Sequence, residues 1–599
     1  MLVIAGPGSG KTTVITQRIR YLTGHYGVPP GEILVITFTK AAADEMKRRY
    51  QKLAAADDIA VSFGTFHSIF FTILKHAYGF RAENILREDM RDRFFRDYLH
   101  THPIEFEEED ASIRSLSREI SLYKNADAPI AQYYPQTCAG EDFRKIYRAY
   151  ADFLRRRRLL DFDDMLLETR RLLRERADYR RLWQDKFRYI LIDEFQDINR
   201  IQYETIQLLA QPRENLFAVG DDDQSIYRFR GADPRIMLDF TSDYPGAKLV
   251  RLPFNYRSGS DIVRAGGNLI AHNGARYAKN PRVSAERPSA VIMQAFSEQR
   301  LENLYIIGEL KKLFKEGVRA QQIAVLARTN AGLDDLAAQL TAYNIPFAAK
   351  EPIPGLYHHW VARDLFTYLH IAHGDSSRGS ILKVMNRPNR YLTRELLPGG
   401  ELDFDRWCAQ YTTQPQMRKR LEKLRTDLAA VRDMRPFSAV NYIRRGIAYD
   451  DYLRAHARSH NIPEGDLFEV ADAILERAKD FDTLAEWEEQ ITRTKQAERQ
   501  RGRQTKQPED AIALATYHGA KGLEYRVVFL PDLCAGISPH KKAVLEEDME
   551  EERRMLYVAM TRAKEKLYVL TTSRIHNKDM LPSPFLQEIR EAPAKDMRG

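Results

Sequence analysis

Short runs of β-branched and aliphatic residues recur at Leu2 to Ile4, Ile33 to Thr37, Tyr189 to Ile192, Leu216 to Val219 and Lys248 to Leu252, with helical stretches between them. A second series follows at Ala290 to Ala295, Ile323 to Leu326, Ile512 to Thr516, Val527 to Leu530 and Lys566 to Leu570. Strands alternating with helices predict parallel sheets, and two such series predict an α/β fold with two cores. Between about Phe70 and Arg158, and again between about Glu351 and Lys506, the pattern turns helical and charged, and strands resume after each stretch. The predicted organisation is a first core from residues 1–69 and 159–250, a helical insertion over 70–158, a second core from 251–350 and 507–599, and a second helical insertion over 351–506. That second insertion closes on Arg493 to Lys506, where six cations face only Glu498, and the stretch reads as a solvated linker or a phosphate-contacting hinge.

Composition narrows the class. The 599 residues are 44% hydrophobic and 29% charged, which excludes a disordered or fibrous chain and allows roughly four folding units. The balance of 92 Lys and Arg over 84 Asp and Glu leaves a net charge of +8, modest support for a polyanionic partner. Cys138, Cys408 and Cys534 lie too far apart for a zinc ribbon or an iron–sulfur cluster and fit a reducing compartment. The longest apolar runs fall well short of the ~20 residues that span a bilayer, so the expectation is a cytoplasmic protein without a membrane partner. His358-His359 beside Trp360 lack further ligands at useful spacing and predict no metal site.

The strongest chemical signal is Ala5-Gly6-Pro7-Gly8-Ser9-Gly10-Lys11-Thr12, which follows a predicted strand and precedes a predicted helix. This is the Walker A arrangement: glycines let backbone N–H groups wrap phosphates, the helix amino end adds positive potential, Lys11 reaches the outer phosphates and Thr12 ligates magnesium. Downstream, the apolar run Tyr189 to Ile192 delivers Asp193-Glu194 at its carboxyl end. Asp193 is the candidate metal carboxylate and Glu194 the group that orients or deprotonates the attacking water. Arg257 and Arg562 are candidate arginine fingers, and Gln224, in Gly220-Asp221-Asp222-Asp223-Gln224-Ser225, is a candidate sensor of the γ-phosphate. Taken alone, each of these arginines would be a surface ion pair and Gln224 a turn residue.

Walker A, Thr37-Phe38-Thr39-Lys40, Gly64-Thr65-Phe66-His67-Ser68, Asp161-Phe162-Asp163-Asp164, Asp193-Glu194-Phe195-Gln196-Asp197, Gly220 to Gly231, Asn255 to Ser258, Thr516 to Glu524 and Glu551 to Ala563 together resemble, in order and spacing, the motifs of UvrD/Rep-type superfamily 1 helicases. The resemblance runs from residue 5 to about residue 571 and is weakest in the two insertions. It implies two RecA-like cores holding ATP and Mg2+ between them, and 3′ to 5′ movement along single-stranded DNA and at junctions of single and double strands, in repair or replication. It implies nucleotide contacts from Gly6, Gly8, Ser9, Gly10, Lys11, Thr12, Thr13, Arg18, Tyr256 and Glu524, with Tyr256 stacking on adenine and Glu524 on the ribose. It implies DNA contacts from Phe38, Thr39, Thr65, His67, Tyr227, Phe229, Arg230, Arg328, Asn330 and His518, an assignment that agrees with aromatics offering π-faces to bases and cations tracking phosphates.

The chain departs from the family pattern in several places. It begins four residues before Ala5, so the expected form is short, without the adenine-reading segment. Phe229 stands where Trp is usual and Gly519 where Ser is usual, and Asn386-Arg387-Pro388-Asn389-Arg390 occupies the place of a Gly-x-Gly duplex contact. Two other readings remain open at this stage: a translocase that needs a partner in order to unwind, and a DNA-bound ATP switch with weak hydrolysis.

Overall fold

The computed structural model describes residues 1–53, 60–102, 109–126, 128–135, 137–228, 231–284, 287–350, 356–399, 402–459, 464–503, 510–576 and 578–591. By internal contacts the chain forms two compact units, Met1–Ala290 with Ala543–Glu565 and Gln587–Gly599, and Val291–Lys542 with Lys566–Leu586.

The first unit is built on β1 (Leu2–Ala5), β2 (Ile33–Thr37), β3 (Ser62–Thr65), β4 (Tyr189–Ile192), β5 (Leu216–Gly220) and β6 (Leu249–Leu252), in the spatial order β3-β2-β4-β5-β1-β6. Every ladder between these neighbours is parallel. The interior strands are apolar at every position because helices cover both faces of the sheet, so successive side chains enter two different cores. Leu2, Ile4, Leu34, Ile36, Ile190 and Ile192 pack on one side. Val3, Ala5, Ile33, Val35, Leu191 and Val219 pack on the other. A short parallel pair, β7 (Phe254–Asn255) with β8 (Arg282–Val283), follows the sheet.

The second unit carries β9 (Ala290–Phe296), β10 (Ile323–Ala327), β11 (Phe347–Ala349), β12 (Ile512–Thr516), β13 (Tyr525–Leu530) and β14 (Ala563–Thr572), in the order β11-β12-β10-β13-β14-β9. The ladders β10 with β12, β10 with β13 and β11 with β12 are parallel. The fold is therefore the α/β arrangement of two parallel-stranded cores that the sequence pattern predicts. All ten predicted strands are present, with ends shifted by up to three residues, and two short strands, β3 and β11, were not foreseen.

Helices interrupt each core. Between β3 and β4 a helical cluster centres on Phe95, Leu116, Phe143, Ile146 and Tyr150. Its buried Lys124 ties it to the helix Phe162–Glu175 through Asp161 and Asp164, each 2.6 Å away. Burial alone would favour the neutral amine, but the two carboxylates outweigh it and keep Lys124 protonated. Between β11 and β12 a second helical cluster gathers Tyr368, Trp407, Tyr411, Tyr449 and Trp487. The basic stretch read as a linker is helical as far as Arg503, within the helix Leu484–Arg503; residues 504–509 lie outside the described residues. Among the described residues no helix is long and apolar enough to cross a membrane.

Candidate nucleotide site and nucleic-acid face

Parallel strands carry their ligand-binding loops at the carboxyl edge of the sheet. In the first unit the loops after β1, β4, β5 and β6 bear the phosphate-loop, acidic, sensor and arginine candidates, and those after β2 and β3 bear Phe38, Thr39, Thr65 and His67.

The phosphate loop is shaped by glycine at the two positions where the backbone is left-handed, Gly8 (φ +66°) and Gly10 (φ +86°). Ser9 braces the turn by donating its hydroxyl proton to the Gly6 carbonyl at 2.8 Å. Gly10 then opens the helix Lys11–Gly24, whose first turn contains no acidic residue and whose amino end, among the described residues, has no side-chain cap. Its first N–H groups and its dipole are thus available to an anion, with Lys11, Thr12 and Thr13 in the first turn. This donor set fits a polyphosphate. The Thr12 hydroxyl and the Asp193 carboxylate are the hard oxygen ligands a magnesium ion takes. Arg18 is not brought to the loop: seven residues along the helix, its guanidinium lies 5.5 Å over the Phe217 ring and 5.8 Å from Tyr21.

At the end of β4, Glu194 occupies left-handed backbone (φ +51°), and its N–H is held by Asp193 Oδ1 at 3.0 Å. A non-glycine residue in this region is costly and marks a functional turn. Glu194 Oε2 lies 3.5 Å from Lys11 Nζ. The same oxygen accepts a hydrogen bond from Gln196 Nε2 at 2.6 Å. Gln196 in turn accepts from the Asp221 N–H at 2.9 Å, and the close approach of its side chain requires Gly220, whose added Cβ would sit 2.8 Å from Gln196 Oε1. Gln196 was given no role from the sequence. A buried glutamine joining two loops leaves no periodic signal, although its place between two acidic motifs is suggestive in retrospect.

The arginines belong to the same compact unit as the phosphate loop. Tyr256 donates its N–H to the Gly8 carbonyl at 2.9 Å, and Asn255 Oδ1 receives the N–H groups of Arg257 and Ser258 at 2.8 and 2.9 Å. Arg562, 1% exposed, lies just past the helix Glu546–Met560 and donates to the Val558 carbonyl at 2.8 Å and to Gln224 Oε1 at 3.3 Å. Arg257 reaches the Thr561 carbonyl at 3.4 Å. Contacts therefore run from Lys11 through Glu194, Gln196, Asp221, Gln224, Arg562 and Arg257 back to Gly8, and the catalytic candidates of this unit are neighbours around one locus. Glu524, the ribose candidate, precedes β13 in the second unit.

A Cβ at Gly8 would stand 2.5 Å from Arg257 Cβ and 3.0 Å from Asn255 Oδ1. Gly8→Ala is expected to lower stability by about 1–2 kcal/mol through left-handed strain. Because the methyl also displaces Arg257, triphosphate hydrolysis should fall by about tenfold or more. Thermal melts and phosphate-release rates on the same preparation check both effects.

On the other half of the sheet edge, Phe38 and Tyr227 stack with ring centroids 4.9 Å apart and planes 14° from parallel. Thr65 caps the helix Phe66–Tyr78 by exchanging hydrogen bonds with Ser68, which aims the next turn and His67. Thr39 is exposed beside Phe38, its hydroxyl receiving the Ala42 N–H at 3.2 Å. His67 meets Phe162 edge-on at 5.4 Å, and burial pushes its imidazole below the usual histidine range, so at neutral pH it offers an uncharged face. Phe162, 57% exposed, was passed over in the sequence because two aspartates follow it and mask an aromatic held open at a helix start. Phe229 and Arg230 lie outside the described residues. In the second unit Arg328 and Asn330 follow β10, and His518 lies two residues past the adjacent β12, so these three share the carboxyl edge of that sheet.

The UvrD/REP helicase N-terminal domain family matches residues 1–245, and the UvrD-like helicase C-terminal domain family matches residues 250–399 and 412–574. The chain belongs to the UvrD/Rep helicase family. Similarity to individual members is spread along nearly the whole chain. YjcD of Bacillus subtilis is 31% identical over 618 residues, covering 99% of this chain and 80% of its own. The ATP-dependent DNA helicase PcrA of Staphylococcus epidermidis RP62A is 30% identical over 636 residues, and that of Staphylococcus aureus Mu50 is 31% identical over 628; both alignments cover 99% of this chain and 84% of the relative. Matches of this extent make the chain a helicase-family protein through both units.

Proposed function

We propose that this protein is an ATP-driven 3′ to 5′ motor on single-stranded DNA that unwinds duplex at junctions, in repair or replication. The observation that carries the reading is the loop after β5, on which Gln224, bonded to Arg562, stands three residues before Tyr227, stacked on Phe38. A residue placed to sense the γ-phosphate and an aromatic placed to hold a base thus share one short rigid segment, which supplies a direct route between hydrolysis and strand grip.

The chemistry follows from the neighbours of the phosphate loop. With no anion to meet, Lys11 and Glu194 neutralise one another across 3.5 Å. A triphosphate in the loop draws Lys11 to its outer oxygens, which leaves Glu194, still held by Gln196, to orient a water for in-line attack. Arg257 and Arg562 stabilise the charge that develops on the transferred phosphoryl group, and Gln224 registers its departure. Magnesium, held by Thr12 and Asp193, would supply further charge neutralisation at the phosphates. Tyr256, 57% exposed beside Gly8, is placed to cover the base. On the nucleic-acid side, Phe38, Tyr227, His67 and Phe162 offer faces that do not read sequence, each worth about 1–3 kcal/mol per stacked base. If the two cores hold the strand alternately, each turnover becomes a step.

Partial duplexes with a single-stranded tail on either the 3′ or the 5′ side test this. Strand displacement is expected with ATP on the 3′-tailed substrate. Displacement only from the 5′ tail would overturn the polarity. Hydrolysis stimulated by single strands, with neither duplex opened, would point to a translocase that needs a partner.

A further inference from the structure

Three consecutive aspartates, Asp221, Asp222 and Asp223, follow β5, and none is more than 2% exposed. A run of carboxylates in the interior persists only when cations meet it, since each unpaired charge carries a large desolvation cost. The cations come from an irregular segment some 50 residues downstream. Lys279 Nζ lies 2.5 Å from Asp221 Oδ1, 2.5 Å from Asp222 Oδ1 and 2.9 Å from Asp223 Oδ2. Arg276 grips Asp223 with two parallel bonds of 2.8 and 2.7 Å, and the Tyr277 N–H donates to Asp222 Oδ2 at 2.8 Å. Burial opposes the charged ammonium, but the three carboxylates outweigh it and keep Lys279 protonated. The segment is anchored in turn to the helix that precedes Arg562: Glu550 receives the Gly274 N–H at 2.6 Å, and Asn273 donates to the Glu550 carbonyl at 3.0 Å.

This clasp bears on Gln224. Its amide nitrogen faces Asp221 Oδ2 at 2.5 Å and its amide oxygen faces Arg562 at 3.3 Å. Because a carboxylate only accepts and a guanidinium only donates, the two neighbours dictate which way the amide points. Asp221 and Arg562 are opposite charges separated by one glutamine side chain. What holds Asp221 away from Arg562 is the ammonium on its other oxygen.

We propose that Lys279, supported by Arg276, is a positioning residue for nucleotide turnover, fixing Asp221 so that Gln224 and Arg562 stay aligned with the phosphate loop. The inference rests on the reading of this site as an ATPase. Without Lys279, Asp221 competes with Gln224 for Arg562, and both groups leave their places.

The test measures kcat, KM for ATP and melting temperature, with saturating single-stranded DNA, for Lys279→Arg, Lys279→Met and the charge-compensated Lys279→Met/Asp222→Asn. Lys279→Met is expected to lose about tenfold to a hundredfold in kcat, as a misplaced catalytic group does. KM should stay within about twofold, since the loop itself is untouched. The double variant should regain melting temperature but not kcat, and Lys279→Arg, which keeps the charge but replaces a compact ammonium by a planar fork, should melt like the parent with a lowered kcat. Parental kcat in Lys279→Arg, or kcat recovering together with melting temperature in the double variant, would reduce the clasp to a stabilising ion cluster and overturn the proposal. If Lys279→Met does not fold, Lys279→Arg alone decides. A parent protein that hydrolyses no ATP overturns the ATPase reading and this inference with it; an active parent matched by Lys279→Arg overturns this inference only.

Discussion

Lys11→Ala is expected to lower DNA-stimulated ATP hydrolysis by about 10²–10³-fold, the loss seen when one preorganised charge is removed from a transition state. At 1.36 kcal/mol per decade that is about 3–4 kcal/mol of barrier. Two effects combine. The outer phosphates lose their ammonium, and Glu194 loses the partner 3.5 Å away that balances it in the resting site. Binding of single-stranded DNA should persist within about threefold, because the stacking pair Phe38 and Tyr227 sits after other strands and is worth its own ~1–3 kcal/mol per base. Phosphate release and fluorescence anisotropy on the same preparation separate the two. Loss of DNA binding together with turnover would show that Lys11 supports the fold instead of the chemistry.

Arg562→Ala is expected to cost more, about 10³–10⁵ in kcat, the range for an arginine that stabilises phosphoryl transfer. Its guanidinium is buried and bonded to the Val558 carbonyl, Thr561 and Gln224, so truncation also removes packing and leaves those acceptors unpaired. A lower melting temperature is therefore expected alongside the kinetic loss. Arg562→Lys separates the two contributions: the ammonium keeps the charge but cannot donate to Val558 and Gln224 at once from a rigid fork. Stability close to the parent with kcat still depressed at least tenfold supports a role at the reacting phosphate, whereas parental kcat in Arg562→Lys would leave only a structural role.

Much of the fold was legible because its strands are apolar at every position. Residues such as Leu34, Val35 and Ile36 have nowhere to lie but a sheet covered on both faces, and helices between them force parallel pairing. The edge strand Ser62–Thr65 escaped because its four residues include a glycine and two hydroxyls, and Phe347–Ala349 escaped because three residues are too few for a pattern. At the site, the phosphate loop was legible because its chemistry is local: glycines, lysine and threonine must be adjacent to wrap a phosphate. The aspartate triplet was not. A run of Asp221 to Asp223 reads as a solvated turn, and nothing in its own neighbourhood announces that Arg276 and Lys279 bury it. Gln196 is hidden for the same reason, its partners Glu194 and Asp221 being 2 and 25 residues away. Local chemistry is written in spacing, whereas long-range charge pairing is written only in the folded chain.

The central claim is that one locus, bounded by Lys11, Glu194, Gln224, Arg257 and Arg562, consumes ATP under the control of a strand held by Phe38 and Tyr227. The most direct measurement is the steady-state rate of phosphate release by the unmodified protein, with ATP and magnesium, in the presence and absence of a single-stranded oligodeoxynucleotide. The account predicts hydrolysis that rises by about tenfold or more when the strand is added. Hydrolysis at one rate regardless of DNA, or none under either condition, would contradict it.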